Sequence, residues 1–279
     1  AWVRERLGTP LQGWRPHGQW AVTMGGEPSS FIGDDAPRLI DSSDPERVFS
    51  LEQGLQHIRE LLRQGGKSVR IAGLSGVGKT RFVQASFEEG AAENPVDRTL
   101  AVYADISDSP LPAPQTLIDE LIANTRRAVL IVDTCSSELH RQLTAKCKLS
   151  EIVSLLTIEY DIREDLPDET SVFRLEPASP DLISKVIEQQ FPHISQVDRS
   201  TITRFADGNS RVAIALAGTL SKRDSLAEIT NDDLFRRLFW QKNDQNDSLL
   251  RAAQACALVY SFDGENQNNE LPRLAALAG

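Results

Sequence analysis

Several things are scarce in this chain, and each scarcity excludes something. Cysteine occurs three times in 279 residues, at Cys135, Cys147 and Cys256. An odd, widely spaced set is neither a disulfide framework nor a zinc pattern, and it fits a reducing cytoplasm with buried or incidental thiols. No apolar run approaches the roughly 20 residues that a membrane span needs, so no transmembrane helix is expected. Positive charge is in the minority: 30 Lys and Arg against 40 Asp and Glu give a net charge of −10 and a pI near 5.0. That balance argues against a generic nucleic-acid-binding face, which is usually basic. Arg126-Arg127 and Arg236-Arg237 are too short to form a basic patch. The chain opens on Ala1 without a charged-then-apolar leader, and the expectation is an excised piece of a larger polypeptide or a processed product. No internal repeat or low-complexity segment is detected.

What is present is ordinary globular composition, 40% hydrophobic and 25% charged, enough for a real core. Residues 1–30 hold Trp2, Trp14 and Trp20, three of the four tryptophans, among Gly and Pro and without a helix or strand period. They read as a linker or strap whose aromatics pack on a neighbouring surface. Ser50 and Gln53 match a capping box opening "LEQGLQHIRELLRQ". Leu51, Leu55, Ile58 and Leu62 share one face of that helix, His57 reads as a surface histidine, and Gly65-Gly66 ends the helix.

The chain then alternates. "SVRIAG", "TLAVYADI", "AVLIVD", "IVSLLTIEYD" and "SVFRLEP" read as strands, with helices over 79–89, "PQTLIDELIANTRR" and "ELHRQLTAKC" between them. Such alternation means a parallel sheet flanked by helices, and the continuous apolar runs fit strands buried on both faces. After Pro177 the pattern becomes helical. Ser179-Pro180-Asp181 is a strong helix start, and "LISKVIEQQ", "STITRFAD", "RVAIALAGTL", "NDDLFRRLFWQK" and "SLLRAAQACALVY" follow. The expected division is a strap over 1–30, an α/β domain over 31–177, a helical lid over 178–230, and the start of a winged-helix-like or helical arm over 231–279.

Residues 73–80, Gly-Leu-Ser-Gly-Val-Gly-Lys-Thr, satisfy G-x-x-x-x-G-K-[ST] between a strand and a helix. Glycines let the backbone wrap a phosphate with its N–H groups inward. The opening helix adds its positive dipole end. Gly73, Ser75, Gly76, Val77 and Gly78 would form the cradle, with Arg81 just beyond it. Lys79 would bring charge to the β- and γ-phosphates, and Thr80 a hydroxyl to Mg²⁺. Asp133 ends an apolar strand about fifty residues on and would hold the metal beside Thr80. Thr134 follows it where many fast ATPases carry a water-activating glutamate, which suggests slow hydrolysis or another base. Thr157 could sense the γ-phosphate, and Glu159, Asp161 or Arg163 could orient water. Thr157 and Glu159 therefore join Lys79 and Asp133 as catalytic candidates. No N-K-x-D follows a late strand, so a guanine-specific GTPase is not expected.

Taken together, Gly73–Thr80, "LIVD" at 130–133, "SLLTIEYD" at 154–161, "FRLEPASPDLI" at 173–183 and "FADGNSRVAIALAG" at 205–218 resemble the STAND signalling ATPases. These are the AAA+-related group that includes NB-ARC and NACHT domains, and the likeness is strongest to bacterial antiphage-defence members. It covers roughly residues 30–230, with Asn209-Ser210 where the lid usually carries proline. "FIGDD" at 31–35 is similar to the motif that packs on adenine, which implies a contact from Ile32, although the usual arginine is missing. The resemblance implies ATP or ADP with Mg²⁺ between core and lid. ADP would hold a closed monomer, and exchange for ATP, triggered by a protein ligand on a C-terminal sensor, would permit homo-oligomerisation. His193, Arg204 and Arg211 are lid residues that could reach nucleotide, but surface or packing roles fit them better. Two rivals stand beside this reading: a nucleic-acid-linked AAA+-type ATPase, and a module that binds nucleotide as structural glue without hydrolysis.

Overall fold

A computed structural model describes residues 11–23, 31–159, 170–220, 230–240, 247–259 and 270–279. Trp2, Asp161 and Arg163 lie outside them. Two compact units are present: residues 1–186 with 207–211, and residues 187–206 with 212–279.

The first unit is built on an eight-stranded sheet. Its strands are β1 (Arg15–Pro16), β2 (Leu39–Asp41), β3 (Val48–Phe49), β4 (Ser68–Ala72), β5 (Ala101–Asp105), β6 (Ala128–Asp133), β7 (Val153–Ile158) and β8 (Thr170–Leu175). The order is β1-β5-β6-β7-β4-β8-β2-β3. The five inner strands run parallel, while β1, β2 and β3 are antiparallel additions at the edges. Every residue of β4 and β7 is buried, as strands covered on both faces require. The helices are α1 (His17–Thr23), α2 (Leu51–Arg63), α3 (Lys79–Ala85), α4 (Pro114–Ala123), α5 (Ser137–Cys147) and α6 (Pro180–Gln190), the last crossing into the second unit. Residues Val102, Leu130, Val132 and Leu155 of one sheet face pack with Leu117, Leu121 and Leu143 of α4 and α5.

The capping box forms as the sequence predicts: Gln53 N donates to Ser50 Oγ at 3.3 Å, and Ser50 N to Gln53 Oε1 at 3.1 Å. Ser179 Oγ likewise accepts from Leu182 N at the start of α6. Residues 11–23 of the strap are more ordered than its composition suggested. β1 pairs with β5, Trp14 enters the core and donates to the Pro112 carbonyl at 2.8 Å, and Trp20 stacks on Tyr103 at 4.5 Å. His57 is half-buried, stacked on Phe49 with its edge to Phe173, rather than a plain surface residue.

The helix expected over 79–89 ends at Ala85. The reason is Arg59 of α2, whose side chain is fully buried. Its guanidinium donates to the carbonyls of Ala85, Ser86, Glu88, Ala92 and Glu93, and so holds the chain leaving α3 in a non-helical path.

The second unit contains the remainder of α6, then α7 (Gln196–Ala206), most of α8 (Ser210–Gly218), α9 (Asn231–Trp240), α10 (Asp247–Cys256) and α11 (Glu270–Ala278). Among the described residues beyond 186 there is helix and turn only. α10 and α11 pack together, with Leu250 and Leu274 buried. Among the described residues, no helix is long and apolar enough to cross a membrane.

Arg59→Leu should leave five carbonyls without their donor. The expected loss is roughly 3 kcal/mol of unfolding free energy, read as a fall in the urea midpoint. An unchanged midpoint would mean that water satisfies them equally well.

Candidate functional site

The glycine-rich loop leaves β4 at Ala72 and enters α3 at Lys79. Three of its residues, Gly73, Gly76 and Gly78, have φ of 141°, 85° and 101°, values that favour glycine. A Cβ on Gly78 would meet nothing within 4 Å, so the loop is open on that side. Lys79 is buried, and its ammonium donates to the carbonyls of Gly73 and Leu74, both at 2.8 Å. Burial lowers its pKa to about 8, while the nearby Asp133 carboxylate pulls it upward and Arg211 lowers it further.

Thr80 Oγ1 donates to Asp133 Oδ2 at 3.0 Å, and Tyr103 donates to the same oxygen at 3.1 Å. The structure therefore brings Lys79, Thr80 and Asp133 together at the carboxyl ends of β4 and β6. Burial raises the Asp133 carboxyl above the usual range, opposed by hydrogen bonds from Thr134 N, Thr80 and Tyr103. Burial also raises Tyr103, with the Asp133 charge adding to it. Hydroxyl and carboxylate oxygens are hard donors, the set that suits Mg²⁺. Among the described residues no three His, Cys, Asp or Glu side chains gather around a metal position. Thr80 and Asp133 could hold Mg²⁺ with phosphate oxygens and water completing its shell, and the ion would supply positive charge beside those phosphates.

Other candidates stand elsewhere. Thr157 pairs with Val132 in register, so it faces the side of the sheet opposite Asp133. It is fully buried there and its hydroxyl bonds His140 Nδ1 at 2.7 Å. Its hydroxyl is engaged there by α5 and not by the glycine-rich loop. Glu159 is also buried, and its carboxylate is ion-paired with Arg70 of β4, which also donates to Ser137 Oγ. Its carboxylate is thus held by a buried cation. Thr134, at the position of the missing second acid, has φ 54° and donates its N–H to Asp133 Oδ1.

Arg81 forms a bidentate pair with Glu88, at 3.0 and 2.8 Å, and lies over the Phe31 ring. Ile32 is half-buried in an irregular segment. Arg204 is exposed on α7, and His193 lies 3.4 Å from the Leu220 carbonyl. Cys135 and Cys147 are buried thiols with pKa values pushed up to about 12 by burial, which makes them unreactive.

Two groups that sequence reasoning missed touch the loop. Arg38, 3% exposed, donates to the Val77 carbonyl at 3.0 Å and to the carbonyls of Glu176 and Pro177, with Asp34 3.5 Å away. Asn209 Nδ2 donates to the Ser75 carbonyl at 3.0 Å. Neither has a local sequence signal, although Asn209 was visible as the residue standing where a proline was expected.

A buried parallel strand, a glycine-rich turn, a lysine and threonine opening a helix, and a carboxylate ending another parallel strand define the α/β P-loop fold. No protein-family model matches the sequence, and no curated protein matches it. Similar solved structures include a STAND protein with a tetratricopeptide repeat sensor from Pyrococcus horikoshii, 9% identical with a TM-score of 0.41. That likeness covers 80% of this chain and 38% of the other, so this chain spans well under half of its length. AMPPCP-bound DnaA from Aquifex aeolicus is 14% identical over 81% of this chain and 75% of its own, with a TM-score of 0.39. Drosophila ORC bound to DNA is 14% identical over 87% and 78%, with a TM-score of 0.41. Likenesses this remote carry no argument about function, and the fold assignment rests on the chain's own strand order and loop.

Two measurements follow from the charges. Because the Lys79 pKa is depressed, the stability it contributes is present above its unfolded pKa and lost as pH falls through about 8. An anion in the cradle re-favours the ammonium, so ADP binding at pH 8 should take up about half a proton. Calorimetry in two buffers of different ionisation enthalpy would detect it, and Lys79→Met should abolish it. The raised Asp133 carboxyl contributes stability that is present below its unfolded pKa and lost as pH rises through its folded one. Asp133→Asn should therefore raise the melting temperature at pH 7 by a few degrees, and weaken Mg²⁺-dependent nucleotide binding at least tenfold.

Proposed function

We propose that this chain is the ATP/ADP-binding switch module of a larger STAND-type signalling ATPase, with Mg²⁺ at Thr80 and Asp133. The observation that carries the proposal is the meeting of Lys79, Thr80 and Asp133 beside an open glycine loop. Hydrolysis is slow in this reading: Thr134 stands where an acid would activate water, and Glu159 is neutralised by Arg70. ADP holds a resting monomer. Exchange for ATP permits homo-oligomerisation on a trigger, a protein ligand read by a sensor outside this chain. The cytoplasmic, antiphage-defence setting is part of the proposal and rests on the sequence resemblance alone. The same Thr134 and Glu159 favour one second reading, a module that holds nucleotide without turning it over. A nucleic-acid-linked ATPase is the poorer fit to a net charge of −10.

Nucleotide content and ATP turnover of the purified chain, beside Lys79→Ala and Asp133→Ala, test this. Co-purified ADP and turnover well below 1 per second, both lost in Lys79→Ala, are expected for a switch. Fast turnover by the isolated chain would point to a motor or loader. Bound nucleotide with no turnover selects the second reading, and no nucleotide at all sinks both.

A further inference from the structure

Resting on the nucleotide reading above, we propose that Asn209 and Arg38, with the backbone of Arg211, are positioning groups that pre-set the phosphate cradle by holding its carbonyls from outside.

The argument begins with the peptide plane. In a trans peptide the carbonyl of one residue and the N–H of the next point in opposite directions. Fixing a carbonyl outward therefore turns the following N–H inward. Three successive carbonyls of the loop are fixed by donors from distant parts of the chain. Ser75 O accepts from Asn209 Nδ2 at 3.0 Å, Gly76 O from Arg211 N at 3.2 Å, and Val77 O from Arg38 Nη2 at 3.0 Å. The N–H groups set by these three planes belong to Gly76, Val77 and Gly78, the run that a phosphate-binding nest would use.

The glycine at position 76 supports the same reading. A Cβ there would fall 2.2 Å from Asn209 Oδ1, so this glycine makes room for the clamp as well as for its own φ of 85°. Asn209 is delivered by two residues of positive φ, Asp207 at 45° and Gly208 at 79°, and a Cβ on Gly208 would strike Pro177 at 2.5 Å. Both arms are anchored on one short connection. Arg38 donates to the carbonyls of Glu176 and Pro177, and Ala178 N donates to the Gly208 carbonyl at 2.8 Å. Asp34 accepts from Ser179 N and stands 3.5 Å from Arg38. The orientation of the cradle is thus tied to residues 176–179, where β8 hands over to α6.

Asn209 is half-buried and outside the core, so its truncation leaves the fold intact, whereas Arg38 is buried deeply enough that its removal could unfold the unit. The test therefore uses Asn209→Ala, with Gly76→Ala as the reciprocal change on the loop. Affinities for ADP and for inorganic pyrophosphate are measured by calorimetry beside wild type and Lys79→Ala, with the melting temperature of each nucleotide-free protein. Asn209→Ala should weaken ADP and pyrophosphate by the same factor, about fivefold to tenfold, with an unchanged melting temperature. Equal factors place the loss in the phosphate cradle and not at the base. Wild-type affinity in Asn209→Ala, with Lys79→Ala impaired, overturns the clamp and leaves the nucleotide reading standing. No binding of either probe by the wild-type chain overturns both.

Discussion

A loop that offers its N–H groups to an anion must turn its carbonyls the other way, and each of those needs a donor of its own. Much of the first unit can be read as an answer to that requirement. Lys79 serves Gly73 and Leu74 from within the motif, and Arg38, Asn209 and the Arg211 backbone serve the next three carbonyls. Further along, Arg59 does the same for the chain leaving α3. Two buried guanidiniums thus bracket the stretch from Val77 to Glu93, each spending its donors mainly on backbone oxygen. A guanidinium suits this role because five N–H groups in a fixed fork can satisfy several carbonyls that no single apolar side chain could.

The Asp133 carboxylate has a parallel support. Asp133 is held by Thr80 and Tyr103, and the Tyr103 ring lies against Trp20, whose ring is almost wholly buried. The strap thereby reaches, through one aromatic stack, the hydroxyl that orients the carboxylate. On the opposite face of the sheet, Arg70 bonds Glu159 and Ser137, and His140 bonds Thr144, Thr157 and Thr170.

Elements that bury a long, periodic or continuous apolar face were legible in the sequence. The five parallel strands, α2 with its capping box, α6 and α8 through α10 stand close to where pattern predicted them, while α7 begins at Gln196, four residues before the segment read as helical. Lys79, Thr80 and Asp133 were legible because their chemistry fixes both residue type and local context. What was not legible depended on register or on distance. β1, β2 and β3 are too short to show a period. Thr157 and Asp133 both read as polar residues at the ends of apolar strands, and only the pairing of Val132 with Thr157 reveals that they face opposite ways. Arg38 and Asn209 act on residues 39 and 134 positions away, across separations that no local pattern records.

The two edges of the sheet have a consequence for how such domains can meet. Among the described residues, one edge is the two-residue β1, which ends in a proline that has no N–H to offer. The other is the two-residue β3, whose Phe49 is overlaid by the Arg47 guanidinium. Both are poor templates for another strand, so a sheet continued from copy to copy, the route by which edges nucleate fibres, is blocked at each end. Contacts between copies at these edges would then be written in side chains, where a single substitution can change the partner without disturbing the sheet.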